Sequence, residues 1–271
     1  MIRSLSPREA LVVLPFEERG QEIVTLSDIV SLLKCDIKTA YYVAYRLLQK
    51  QWLFRIKQGK YLFIPAKKGI SGVPSMNPYA CALYLKEPYY FSYSTATSHY
   101  GWTSLLSDVL YVATLHQQNI RAFYVTVKPV RIAKHKLFGY TKQRVFSSID
   151  VNMASKEKAV VDAVDKIKNS GGIENVAKAL VRAKRQVDWE LVIDYAKRMQ
   201  SKSLCARLGY LLEKLSIVEG RKISALAPNL PSCYVHLGNP KRWGRQGKTN
   251  KEWHIIENVP HDKLLSEVTI R

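Results

Sequence analysis

Three helix starts follow one another within the first forty residues and two short β-runs close behind them, an order that few folds accept. Ser6-Pro7-Arg8-Glu9 offers an N-cap, a proline at the first helical position and the acid that completes a capping box, ahead of the apolar run Ala10 to Phe16. Thr25-Leu26-Ser27-Asp28 repeats the signal before Ile29, Val30, Leu32 and Leu33. A third helix is predicted from about Asp36 to Gln49. Leu53-Phe54-Arg55-Ile56 and Tyr61-Leu62-Phe63-Ile64 then bracket Lys57-Gln58-Gly59-Lys60, two β-runs around a glycine-containing turn. Helix, helix, helix, hairpin predicts a winged helix-turn-helix domain over residues 1–68.

At about 100° per residue, Ile37, Ala40, Val43, Ala44, Leu47 and Leu48 of the third helix share one arc, with Tyr41 at its edge. Lys38, Thr39, Tyr42, Tyr45, Arg46 and Gln49 lie opposite. Such a face combines base-edge donors, phosphate ligands and apolar contacts. We therefore expect Lys38, Thr39, Tyr42, Tyr45 and Arg46 to enter the DNA major groove, with Arg55, Lys57 and Lys60 of the hairpin on phosphates. A solvated face on a structural helix, and lysines that protect a sheet edge from pairing, are the plainer alternatives.

Charge strengthens the first reading. Lys and Arg total 42 against 22 Asp and Glu, a formal net charge of +20, and a domain this basic usually has a polyanion for a partner. With 47% hydrophobic and 24% charged residues, wholesale disorder, a collagen-like chain and a coiled-coil rod are excluded. Two acid-poor blocks stand far from the N-terminus: Arg131, Lys134, Lys136, Lys142 and Arg144, and Lys241, Arg242, Arg245 and Lys248 around Trp243. They mark a possible second nucleic-acid surface, an acidic protein's docking face, or a solvated surface.

Residues 66–78 hold glycines, prolines and serines without periodicity, which places a linker at 69–78 before a larger mixed α+β domain at 79–271. Asn77-Pro78 starts a helix. Strands are predicted at Tyr89–Tyr93, Val109–Thr114, Arg121–Val127, Arg131–Leu137 and Arg144–Phe146, with a short helix from Ser94 to Tyr100. Helices follow from Ser155 to Lys168, Ile173 to Ala183, Trp189 to Met199 and Ser203 to Leu215. Tyr234–Leu237 and Trp253–Glu257 close the chain as strands around a basic loop. No apolar run is long enough for a signal peptide or a membrane span, and Cys35, Cys81, Cys205 and Cys233 are too scattered for a zinc site. The expectation is a cytoplasmic protein with buried thiols and no membrane association.

Catalysis finds little support. His99 stands near Ser92, Ser94 and Ser98 without a Gly-x-Ser-x-Gly elbow. Asp162 and Asp165 share a helix with Lys158 and Lys166, which pair with such carboxylates more often than a metal does. No phosphate-binding glycine loop is present. No catalytic residue, metal or cofactor is expected. The competing reading is a nucleic-acid-processing enzyme or accessory factor that docks through its winged helix.

The chain resembles the AbiEi-type antitoxins of type IV toxin-antitoxin (abortive infection) systems over most of its length. The resemblance rests on the winged helix with Gly59-Lys60-Tyr61, Tyr90-Phe-Ser-Tyr-Ser-Thr-Ala96, His99-Tyr-Gly-Trp-Thr103, Ala154-Ser-Lys-Glu-Lys-Ala-Val-Val-Asp162, Arg207-Leu-Gly-Tyr-Leu-Leu-Glu213 and Trp253. Tyr93 stands where the family pattern often has His, and residues 219–251 are unusually basic. The resemblance implies a transcriptional autorepressor and antitoxin that binds double-stranded DNA at inverted repeats in its own promoter. It also implies functional pairing with a nucleotidyltransferase-like toxin.

Overall fold

The computed structural model describes residues 3–66, 78–104, 109–116, 121–122, 125–145 and 149–265, except the side chains of Ile56, Lys57, Ala80, Leu83, Tyr84, Arg121, Ala122 and Leu265. The chain divides into two compact units, Met1–Leu85 with Arg144–Asp150, and Lys86–Gln143 with Val151–Arg271. The expected linker lies outside the described residues up to Pro78, where a 3-10 helix, Pro78–Tyr84, begins in the first unit.

Helix α1 (Pro7–Glu18) opens on the anticipated capping box: the Ser6 hydroxyl accepts from the Glu9 N–H, and the Glu9 carboxylate accepts from the Ser6 N–H at 2.6 Å. Strand β1 (Ile23–Thr25) leads into α2 (Leu26–Leu33), capped by Thr25 and Asp28 in the same way. Helix α3 (Ile37–Gln49) is followed by β2 (Leu53–Lys57) and β3 (Lys60–Phe63). The antiparallel sheet has the order β1-β3-β2. Strand β1 was not anticipated, because three residues ending in a helix cap show no alternation. Val12, Val13 and Phe16 of α1 meet Ile29 of α2, Val43 and Leu47 of α3, and Trp52, Tyr61 and Phe63 in one core. Phe63 stacks on Trp52 and meets Phe16 edge-on, at 6.4 and 5.9 Å between centroids. Ile37, assigned to the packing arc, is 51% exposed instead.

Glu9 ties α1 to α3. It is buried, accepts from the Lys50 ammonium at 2.6 Å, and lies 3.8 Å from the Arg46 guanidinium. Burial pushes its carboxyl up, but the bonds from Lys50 and from the Ser6 N–H and hydroxyl outweigh it and hold the group below the usual carboxylate range. A depressed folded-state value contributes stability that is present above the ordinary carboxylate range and lost as pH falls through the folded value. Glu9→Gln should therefore cost about 1 to 3 kcal/mol at neutral pH. It should also flatten the loss of stability between neutral pH and about pH 3. Chemical denaturation across that range checks it, and an unchanged acid slope would show that Glu9 is not the linked group.

From Lys86 onward, β4 (Tyr89–Phe91), α4 (Ser94–His99), β5 (Val109–Thr114), β6 (Arg121–Ala122), β7 (Val125–Arg131), β8 (Tyr140–Val145) and β9 (Ile149–Ala154) precede a helical run. The strands form one mixed sheet of order β6-β7-β5-β4-β9-β8, in which β4 runs antiparallel to β5 and parallel to β9, while β5 and β7 are parallel. The helices are α5 (Lys156–Asp165), α6 (Ile173–Ala183), α7 (Trp189–Arg198) and α8 (Lys202–Lys214). The mixed α+β character anticipated from the sequence is what the structure shows.

Several boundaries differ. The strand expected over Arg131–Leu137 ends at Arg131, and Lys134–Lys136 forms a 3-10 turn. Strand β9, Ile149–Ala154, was not anticipated. The helix expected to reach Lys168 stops at Asp165, whose carboxylate is held by Ser201 at 2.7 Å, and a 3-10 turn, Ile167–Ser170, carries the chain to Gly171. After α9 (Gly220–Ile223) the chain closes with β10 (Val235–His236), α10 (Pro240–Trp243), β11 (Lys248–Asn250), β12 (Ile255–Glu257) and α11 (His261–Leu265). The two predicted closing strands are parallel neighbours, and the basic loop between them contains α10 and the third strand, β11, which pairs antiparallel with β12. The thiols also depart from expectation: Cys81 and Cys205 are buried, Cys35 is half-buried and Cys233 exposed.

Candidate nucleic-acid interface

The geometry of α3 is set at its two ends. Lys34 closes α2 in the left-handed conformation at φ 48°, and two residues later Asp36 caps α3, accepting from the Thr39 N–H at 2.7 Å. Bonds from the Thr39 backbone and hydroxyl hold the Asp36 carboxyl below its ordinary value, so the Thr39 hydroxyl serves the cap. Ala40, Val43, Ala44 and Leu47 fix the inward face. Outward, Lys38 and Gln49 are exposed, Tyr42 and Tyr45 are 65% and 57% exposed, and Tyr41 also reaches solvent. Arg46 is half exposed, its Nε within 3.8 Å of Glu9. Two tyrosines exposed for more than half of their surface leave large apolar area in water.

The hairpin beside it is tight. Lys57 and Lys60 are facing partners in the ladder, leaving Gln58 and Gly59 as the turn, and Gly59 takes φ +73°, a conformation glycine adopts without a Cβ penalty. Its carbonyl accepts from the Leu26 N–H at 3.1 Å, tying the turn to the start of α2. Arg55 is exposed opposite Tyr61, Lys60 is half-buried, and the Lys57 side chain lies outside the described residues.

The two remote basic blocks are less uniformly available than their spacing implied. Lys136 is largely covered and bonds to Asp165 at 3.1 Å, and Arg144 makes a two-pronged bond to Asp150 at 2.9 and 3.1 Å. Arg242 pairs with Glu174 at 2.8 Å and lies over the Trp243 ring. Arg131, Lys134, Lys142, Lys241, Arg245 and Lys248 are exposed. Sequence spacing exposed the charge blocks but not the acids that fold back onto three of their members.

The titratable residues weighed for catalysis are used structurally. Asp162 accepts from the fully buried Lys158 ammonium, from the Tyr90 hydroxyl at 3.1 Å and from Ser92 at 2.7 Å. Asp165 takes Lys136 rather than the anticipated Lys166. Ser98 bonds to Thr103 at 3.0 Å and His99 to Gln143 at 3.0 Å. Burial, then the Asp162 charge, pushes the Tyr90 and Tyr93 phenols well above their usual value. Among the described residues no three His, Cys, Asp or Glu side chains come together to hold a metal ion.

No family model matches the chain, and no curated protein matches it. Among solved structures it is similar to the crystal structure of the RV2827C protein from Mycobacterium tuberculosis, with a TM-score of 0.67 and 16% identity over 98% of this chain and 96% of that one. At that identity the likeness is one of fold, and it extends across both units.

Proposed function

We propose that this protein is a DNA-binding transcriptional repressor whose residues 1–68 form a winged helix-turn-helix, with α3 as the recognition helix and the β2–β3 hairpin as the wing. The observation that carries the reading is the outward face of α3: exposed Lys38, Tyr42, Tyr45 and Arg46 on a helix fixed by its cap and core, with exposed Arg55 on the neighbouring hairpin. Direct readout needs donors and apolar atoms held on a rigid element, and +20 of charge supplies the phosphate attraction. On the resemblance to AbiEi-type antitoxins, the operator is an inverted repeat in its own promoter and the protein neutralises a nucleotidyltransferase-like toxin.

Tyr42→Ala should weaken binding to the chain's own upstream duplex by about 1 to 3 kcal/mol and relax discrimination against a scrambled duplex. Arg46→Ala should do the same, with a fold check because Arg46 also approaches Glu9. Lys57→Ala should weaken both duplexes alike. Fluorescence anisotropy measures all three, and equal losses on both duplexes for Tyr42→Ala and Lys57→Ala would sink the assignment. Co-expression with the neighbouring reading frame tests the antitoxin part: failure to rescue growth would remove it and leave the repressor reading standing.

A further inference from the structure

Helix α1 is apolar on two opposite sides. Glu9, Val12, Val13 and Phe16 face the core, whereas Leu11 and Leu14 are 63% and 61% exposed. At 100° per residue Pro7, Leu11, Leu14 and Glu18 fall within about 60° of one another, and all four are exposed. An amphipathic helix on a globular unit needs only one apolar stripe, and among the described residues nothing covers this second one, whose Leu11 and Leu14 are exposed.

We propose that this stripe is a self-association surface whose occupant is the same stripe of a second copy, packed antiparallel. A two-fold axis between Leu11 and Leu14 sets Leu11 of one copy against Leu14 of the other, so the patch is self-complementary, as such symmetry requires. The ends then match in charge: exposed Arg8 at the start of one helix comes alongside exposed Glu18 at the end of the other. Three apolar side chains fall far short of the roughly 800 Å² per partner that a stable interface buries, and two copies each carrying +20 repel one another. The contact is therefore weak at low ionic strength and tightens when that charge is screened. None of this draws on the proposed reading of DNA.

Sedimentation velocity on the full chain without DNA is the test. At protein concentrations on the order of 10⁻⁴ M, suited to weak contacts, the weight-average mass should rise with concentration. It should rise further in about 1 M salt, where the Debye length falls to about 3 Å. Leu11→Ser with Leu14→Ser should abolish the association while circular dichroism stays unchanged, both positions being exposed. Arg8→Glu lowers the net charge by two, so general repulsion alone would make it associate more. Antiparallel pairing instead sets it against Glu18 and predicts less association, restored by Arg8→Glu with Glu18→Arg. A wild-type monomer under every condition, or association that survives the double serine variant, would overturn the proposal. Stronger association of Arg8→Glu would overturn the antiparallel arrangement.

Discussion

Asp162→Ala is expected to destabilise the second unit by about 3 to 5 kcal/mol, the range for removing one partner of a buried ion pair. The substitution leaves the Lys158 ammonium enclosed with the Met199 sulfur at 3.3 Å and the rings of Phe138 and Tyr90 at 4.8 and 5.5 Å, none of which replaces a carboxylate. The Tyr90 and Ser92 hydroxyls lose their acceptor at the same time. Lys158→Met together with Asp162→Asn should cost markedly less than Asp162→Ala alone, since it removes the orphaned charge and keeps an acceptor for the two hydroxyls. Urea denaturation followed by circular dichroism distinguishes the cases. A loss of less than about 1 kcal/mol for Asp162→Ala would mean that water reaches the site and solvates Lys158.

Trp253→Ala should be comparably damaging, at about 3 to 5 kcal/mol for an emptied aromatic site. The indole is 3% exposed, donates its N–H to Glu213, and fills the space over Gly209 of α8 so closely that any side chain there would overlap the ring. Gly209→Ala should consequently cost about 1 to 3 kcal/mol through overpacking. Combined with Trp253→Ala it should cost less than the sum, because the new methyl occupies part of the hole. Thermal unfolding of the four proteins closes the cycle, and strict additivity would show that glycine and indole do not share that space.

These two clusters explain what the sequence motifs carry. Tyr90 and Ser92 of one motif meet Lys158 and Asp162 of another, and Gly209 and Glu213 of a third meet Trp253. Their order and spacing were legible, but that they converge was not, because tertiary contacts across forty to seventy residues leave no periodic trace. What they build is buried packing, so they speak for the fold of the second unit and leave the chemistry of its surface to other residues. Tyr93 belongs with them: it turns at φ +57°, a strained geometry for a tyrosine, between Ser92 and the start of α4.

The first unit was easier to read. Its caps are local hydrogen bonds spelled by residues three apart, so Ser6, Thr25 and Asp36 announced α1, α2 and α3 almost to the residue. The polar face of α3 was legible for the same reason. Local signals could not report the reach of Glu9 to Arg46 and Lys50, the half-buried state of Thr39, or the acids that bind Lys136, Arg144 and Arg242. Each depends on a partner from a separate element, or on how a turn folds back.

The cap on α3 has one more consequence. A helix presents its first N–H groups, and the positive end of its dipole, to whatever approaches its amino terminus, which commonly makes that end a seat for anions. Here Asp36 already occupies the seat with a carboxylate fixed to the chain. A second anion coming to that end meets like charge and donors already engaged. A polyanion approaching α3 would therefore meet more resistance at its tip than along its flank, where the tyrosines, Lys38 and Arg46 stand in solvent.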